Sequence, residues 1–184
     1  GVPQDRRLAR LRRLSARRRG TQLCPMTQPL LSPVTIVRDG ERFLASLVDR
    51  EAQGDPVALP DGSTVPRLPG YQRWMWDGEF CGSIGFRWQP GTQALPPHCL
   101  GHIGYAVVPW KQNRGCATSA LRQLLPEARA QALAYVEITT DPDNAASRRV
   151  IEANGGVLVE RFTKPPQFGS KPGLRYRIDL STLA

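Results

Sequence analysis

The run Gln112-Asn-Arg-Gly-Cys-Ala117 lies where a β-branched and aromatic stretch, Tyr105 to Val108, is stopped by Pro109 and replaced by an Ala-, Leu- and Arg-rich segment with apolar residues at helical spacing. A strand that turns into a helix through small residues gathers unpaired backbone N–H groups at the positive end of the helix dipole. Such a corner suits a diphosphate. A second corner follows: Tyr135-Val-Glu-Ile-Thr-Thr140 reads as a strand and leads into Asp141-Pro-Asp-Asn-Ala-Ala-Ser-Arg-Arg-Val-Ile-Glu-Ala-Asn-Gly-Gly156, a run that ends on two glycines. Two titratable side chains precede the first corner. His102 carries an imidazole that ionises near neutral pH, and Tyr105 carries a phenol.

In this order the two corners resemble the GNAT superfamily of acetyl-CoA-dependent N-acyltransferases, through its Gln/Arg-x-x-Gly-x-Gly/Ala signature and its Asn-x-x-Ser helix. The run Gly101-His-Ile-Gly-Tyr105 is similar to a bacterial-type subgroup of predicted acetyltransferases, and the resemblance covers Tyr71 to Ile178. It implies an α/β protein of the GNAT acyl-CoA N-acyltransferase fold, with a central mixed and mostly antiparallel sheet of about seven strands flanked by helices. It further implies that acetyl-CoA is the co-substrate and that no metal is used. Backbone groups of Tyr105, Val107 and Val108 would pair with the pantetheine arm. The N–H groups of Gln112, Asn113, Arg114, Gly115, Cys116, Ala117 and Thr118 would hold the pyrophosphate, with Asn144 and Ser147 lining the arm from the next helix. The Val107 N–H is the expected oxyanion donor.

The acid and base are less plainly written. Relatives often carry a Tyr where this chain has Ile151, and the strand face shared by Cys99, Gly101, Ile103 and Tyr105 bears no carboxylate. A thiolate whose conjugate acid has a pKa near 8.5 leaves with little help, whereas removing a proton from a Lys-like amine at pH 7 costs about 4.6 kcal/mol. A water chain to Glu79, Glu137 or His102 is expected to share that work, with Tyr105 as acid or orienting hydroxyl. Strand alternation sets His102 on the face opposite Tyr105, which favours a structural imidazole hydrogen-bonded between sheet and helix. Lys164, Lys171, Arg175 and Arg177 follow one another with no acid until Asp179, and Arg175 and Arg177 share a face. This suggests an acceptor with an anionic group beside its amine, or else a charged edge strand.

The rest of the chain must position these groups. A length of 184 residues with 40% hydrophobic content suffices for one core. Of the formal charge of +9, residues 1–25 hold +7, from eight Arg and one Asp, so Met26 to Ala184 carries only +2. The expected division is therefore a basic, flexible extension over 1–25 and a single acetyltransferase domain over 26–184. The extension has the pattern of a basic amphipathic helix, of an Arg-rich transit peptide or of a nucleic-acid arm. Met26-Thr-Gln-Pro-Leu-Leu also reads as a natural start. Four Cys without C-x-x-C spacing fit a reducing cytoplasm, and no apolar run has the roughly 18 residues that a membrane span requires.

Val34 to Arg38 reads as a first strand and Glu41 to Arg50 as a helix. Gly54 to Gly70 reads as a long loop beside the acceptor site. Tyr71–Trp76 and Glu79–Trp88 form a hairpin about the two-residue turn Asp77-Gly78, with Trp74, Trp76 and Trp88 packed inside. Gly101–Val108 is the central strand, Ala117–Leu133 a helix kinked at Pro126, and Val157–Phe162 and Leu174–Leu180 the last strands. The expected partners are acetyl-CoA and a primary amine of a small molecule or peptide, with room for a homodimer, no membrane, and nucleic acid disfavoured. The rival reading is a catalytically silent acyl-CoA sensor.

Overall fold

The computed structural model describes residue 43 and residues 45–59 and 61–181. The expected first strand and the basic extension lie outside them. Phe43, Ala45 and Ser46 are helical, but the helix expected to reach Arg50 has ended by then, because β1 (Val48–Asp49) pairs with the next long strand. The segment read as a long loop contains a small antiparallel hairpin, β2 (Val57–Ala58) with β3 (Thr64–Val65). It was not legible because each strand is only two residues long.

The aromatic hairpin forms as expected from β4 (Gly70–Trp76) and β5 (Phe80–Arg87), followed by β6 (Ile103–Val107). Its turn is longer than two residues: Trp76 faces Phe80 across a shift in register that begins after Met75, and Gly78 supplies the left-handed conformation. Trp76 lies on the strand face of Trp74, opposite the buried Met75, and is 63% exposed. Trp74 is also exposed, leaning on Phe43 and Phe80, while Trp88 alone of the three is buried. The order β1-β4-β5-β6 makes β6 an edge of this sheet.

Helix α1 (Cys116–Arg129) crosses behind the sheet, burying Ala117, Leu121, Leu124, Leu125 and Ala128 at helical spacing. Pro126 stands inside it near its end, and the helix stops four residues short of Leu133. Tyr71 donates to Glu127 (2.8 Å), which also accepts from Arg73 (2.8 Å), fixing α1 to β4. β7 (Tyr135–Thr140) leads into α2 (Ala145–Glu152), then β8 (Val157–Thr163) and β9 (Pro172–Asp179), in a second antiparallel sheet of order β7-β9-β8. Among the described residues, seven strands thus lie in two sheets of four and three, beside the small β2–β3 hairpin. One core, from Tyr71, Phe86 and Ile103 through Leu121 and Leu125 to Val136, Tyr176 and Ile178, joins them.

Candidate active site

The two sheets meet at His102 and part beyond it. The His102 N–H donates to the Glu137 carbonyl (2.8 Å), and the Glu137 N–H donates back to His102 Nδ1 (3.0 Å). At Gly101 the backbones are so close that a Cβ would stand 2.9 Å from the Glu137 oxygen. After this junction the hydrogen-bond parity of β6 decides what faces the gap. His102 O accepts from Arg87 and the Val108 N–H donates to Cys81 O, both at 2.9 Å. Gly104 and Ala106 therefore turn their backbone groups to β5, and Ile103, Tyr105 and Val107 turn theirs to the strandless side.

That side is a cleft lined by Ile103, Gly104 and Tyr105 from β6, Ile138 to Asp141 from β7, Asn144 and Ser147 from α2, and Lys164 and Phe168 from the last loop. Val108, expected to face it with Tyr105 and Val107, has its backbone groups engaged elsewhere. Its N–H is bound to Cys81 O, and its carbonyl accepts from the Lys111 N–H (2.9 Å).

At the end of β6 the chain makes a short 3-10 turn, Pro109–Lys111, and then an exposed loop, Gln112 to Gly115. Asn113 (φ 59°) and Gly115 (φ 76°) are both left-handed, so the chain can double back into α1. The Gln112 side chain donates to Val107 O (3.5 Å). Gly115 is the N-cap, with no side chain to satisfy the helix, and its carbonyl accepts the Ser119 N–H (2.9 Å). By helix geometry the N–H groups of Cys116, Ala117 and Thr118 have no carbonyl behind them. They face outward beneath the open space in front of Gly115, where no atom lies within 4 Å of an added Cβ.

Helix α2 is built differently. Asn144 caps it with its own side chain, accepting from the Ser147 N–H (3.0 Å), and its far end closes with Gly155 left-handed (φ 80°) and Gly156 donating to Ile151 O (3.0 Å). The Ser147 hydroxyl lies 2.9 Å from the Tyr105 hydroxyl, which also donates to Ser147 O (3.2 Å). Asn154 was not among the expected site residues. Its amide donates to Val150 O (2.8 Å) and Thr118 O (3.3 Å), so it pins the end of α2 to the first turn of α1. An Asn before two Gly is the signal that marks it in the sequence.

Several expected chemical groups are otherwise engaged. His102 is 1% exposed and holds sheet to sheet rather than sheet to helix. Burial pushes its pKa down to about 4, against smaller upward pulls from Glu137 and the Gln93 backbone. The unfolded imidazole binds its proton first as pH falls, so the stability conferred by neutral His102 is complete above about pH 6.5 and drains away toward pH 4. The loss is expected to approach roughly 3 kcal/mol. Chemical denaturation at stepped pH should show that decline in the parent protein and much less of it in His102→Gln.

Tyr105 is pushed up to about 12 by burial, with Ser147 pulling the other way. Glu79 pairs with Lys111 (3.2 Å), and Glu137 accepts from both Arg175 (3.0 Å) and Arg177 (2.9 Å). Arg175 also reaches Glu160 (2.7 Å), Arg177 lies over the Tyr135 ring, and Lys164 pairs with Asp141. Arg175 and Arg177 do share a face, but carboxylates occupy it. The ground for expecting an anionic acceptor is thereby removed.

The acetyltransferase (GNAT) domain family matches residues 63–157, a little over half of the chain. Among solved structures, RimJ of Mycobacterium smegmatis in complex with CoA-disulfide is 23% identical, with 62% of this chain and 55% of that one aligned at a TM-score of 0.52. RimL, a ribosomal L7/L12 alpha-N-protein acetyltransferase in complex with coenzyme A, is 20% identical over 60% of this chain and 62% of that one, at a TM-score of 0.50. The chain thus spans between half and two thirds of the length of these structures, and at such identities the likeness shows a shared fold. No curated protein sequence matches it. The family match covers more than half of the chain, and the chain belongs to the GNAT acetyltransferase family.

Proposed function

We propose that this chain is an acetyl-CoA-dependent N-acetyltransferase that moves an acetyl group to a primary amine of a small molecule or peptide, by direct attack in a ternary complex. The observation that carries the proposal is the strandless edge of β6 ending beside an uncapped helix N-terminus. An extended amide-bearing arm would complete the edge like an added strand, and the diphosphate behind it would accept from the first N–H groups of α1. In this reading the Val107 N–H faces the thioester oxygen, and one such preorganised donor contributes about 2.7 to 4 kcal/mol to the acyl-transfer step. Asn144 holds the start of α2, and Ser147 holds the Tyr105 hydroxyl against the arm.

The same geometry apportions the proton work. A phenol at about 12 would protonate a thiolate near 8.5 uphill by roughly 5 kcal/mol. Tyr105 therefore orients and hydrogen-bonds, and the thiolate leaves unassisted. His102 acts by holding the cleft open at its root. The amine loses its proton to water, and the engaged carboxylates Glu79 and Glu137 take no direct part.

A thiol-release assay over a panel of primary amines tests the reading. Amine-dependent release of CoA is the expected result. Tight acetyl-CoA binding with no release for any amine would favour the silent sensor, a reading encouraged by the burial of His102 and the high pKa of Tyr105. His102→Gln should lose stability with a modest loss of rate. Abolished turnover at unchanged stability and CoA affinity would move the imidazole into the chemistry.

A further inference from the structure

Away from the cleft, on the other side of the same corner, two thiols distant in sequence come together. Cys81, in β5, is 1% exposed, and Cys116 is the first residue of α1 and partly exposed. Both are free, and their sulfurs and an Asp77 carboxylate oxygen all lie within 4.8 Å of one another. Backbone bonds hold the two elements in place: the Val108 N–H donates to Cys81 O (2.9 Å), and the Cys116 thiol lies 3.9 Å from the Lys111 carbonyl to which it donates.

Two thiols and a carboxylate are donors suited to a soft metal ion. Here the carboxylate is already taken. Lys111 Nζ stands 2.6 Å from Asp77 and 3.2 Å from Glu79, with its side chain only 7% exposed, so a divalent ion would have to displace a buried ammonium from the position it needs. Burial, with the Cys116 and Asp77 contacts adding to it, also pushes the Cys81 thiol up to about 11, which opposes the thiolate that a metal requires. What remains is the chemistry of a dithiol.

We propose that Cys81 and Cys116 are a reversible oxidation site, closing to a disulfide that draws the first turn of α1 toward β5 and lowers affinity for CoA. The oxidant is a hydroperoxide. The Cys116 thiolate attacks one peroxide oxygen, the O–O bond breaks, and a sulfenic acid and hydroxide result. The Cys81 sulfur then attacks the sulfenic sulfur, the S–O bond breaks, and the departing oxygen leaves as water with the Cys81 proton. Two thiols are oxidised, and one hydrogen peroxide is reduced to two waters. Cys116 is suited to the first step by its exposure, and Cys81 to the second by a sulfur that lies within 4.8 Å of it. The effect on CoA rests on the functional reading above, because the N–H groups that would shift are those assigned to the diphosphate.

The experiment treats the full chain with hydrogen peroxide, maps linked peptides by mass spectrometry, and measures CoA affinity by calorimetry before and after. The expected result is a Cys81–Cys116 peptide and a loss of affinity of roughly 10- to 100-fold, the worth of one charge-assisted hydrogen bond, restored by dithiothreitol. Cys116→Ser, at the more exposed position, should give no linked peptide and no peroxide response, and Cys81→Ala should agree if it folds. Absence of the linked peptide overturns the site. So does stoichiometric Zn²⁺ binding that protects both thiols. A linked peptide with unchanged CoA affinity overturns the regulatory effect, and failure of the reduced protein to bind CoA overturns the functional reading while leaving the mapping to decide the site.

Discussion

Gly115→Val is expected to fold and to lose roughly 10- to 100-fold in CoA affinity, the equivalent of one charge-assisted hydrogen bond. Gly115 is left-handed, and an added Cβ meets no protein atom. The side chain would instead project into the space before the first N–H groups of α1, where the diphosphate is proposed to lie. Backbone strain is a competing explanation, because a β-branched residue is disfavoured at positive φ. Gly155 separates the two. It has nearly the same φ (80° against 76°) and the same emptiness around it, but it closes the far end of α2. Gly155→Val should lose similar stability and bind CoA normally by calorimetry. Equal affinity in both variants and the parent would remove the diphosphate assignment.

Gly82→Ala should be the more damaging change to the fold. Gly82 stands where β4 and β5 change register, at φ 145°, opposite Val107. Its Cβ would stand 2.0 Å from the Ala106 carbonyl oxygen and 2.9 Å from Val107 Cα, all of it backbone that no rotamer change can clear. Combining left-handed strain with overpacking, we expect a destabilisation of roughly 3 kcal/mol or more. Urea denaturation measures it. The clash falls behind the residue proposed as oxyanion donor, so whatever folds should also turn over more slowly. A variant as stable as the parent would show that β5 and β6 are less tightly apposed than described.

What could be read in the sequence was what is local. The corner from Tyr105 to Ala117, the Gly155-Gly156 helix end and the hairpin from Tyr71 to Trp88 each depend on residues within a few positions of one another, and each formed, although the hairpin's turn is longer than the expected two residues. What could not be read depends on which distant segments meet. Nothing near Arg175 or Arg177 announces that Glu137, on the neighbouring strand, holds both guanidinium groups, so two arginines on one face looked available for a ligand. His102 is expected from the sequence to bond between sheet and helix, but its partner is a strand in the other sheet. Trp74 and Trp76 share the strand face opposite buried Met75, and which face of the hairpin packs on the core is set by distant elements. The pairing of Cys81 with Cys116 needs a strand and a helix start brought together from 35 positions apart.

The order β7-β9-β8 bears on how the chain is made. Among the described residues β7 and β8 each pair only with β9, which is translated after both and slots between them. Until Pro172–Asp179 has left the ribosome, the two earlier strands have no ladder partner in their sheet, and Leu174, Tyr176 and Ile178 are missing from the core. The second sheet thus forms only after all three of its strands have emerged. During that interval Val157, Leu158 and Val159, exposed even in the finished fold, belong to an unpaired strand, the state in which a nascent chain most needs a chaperone.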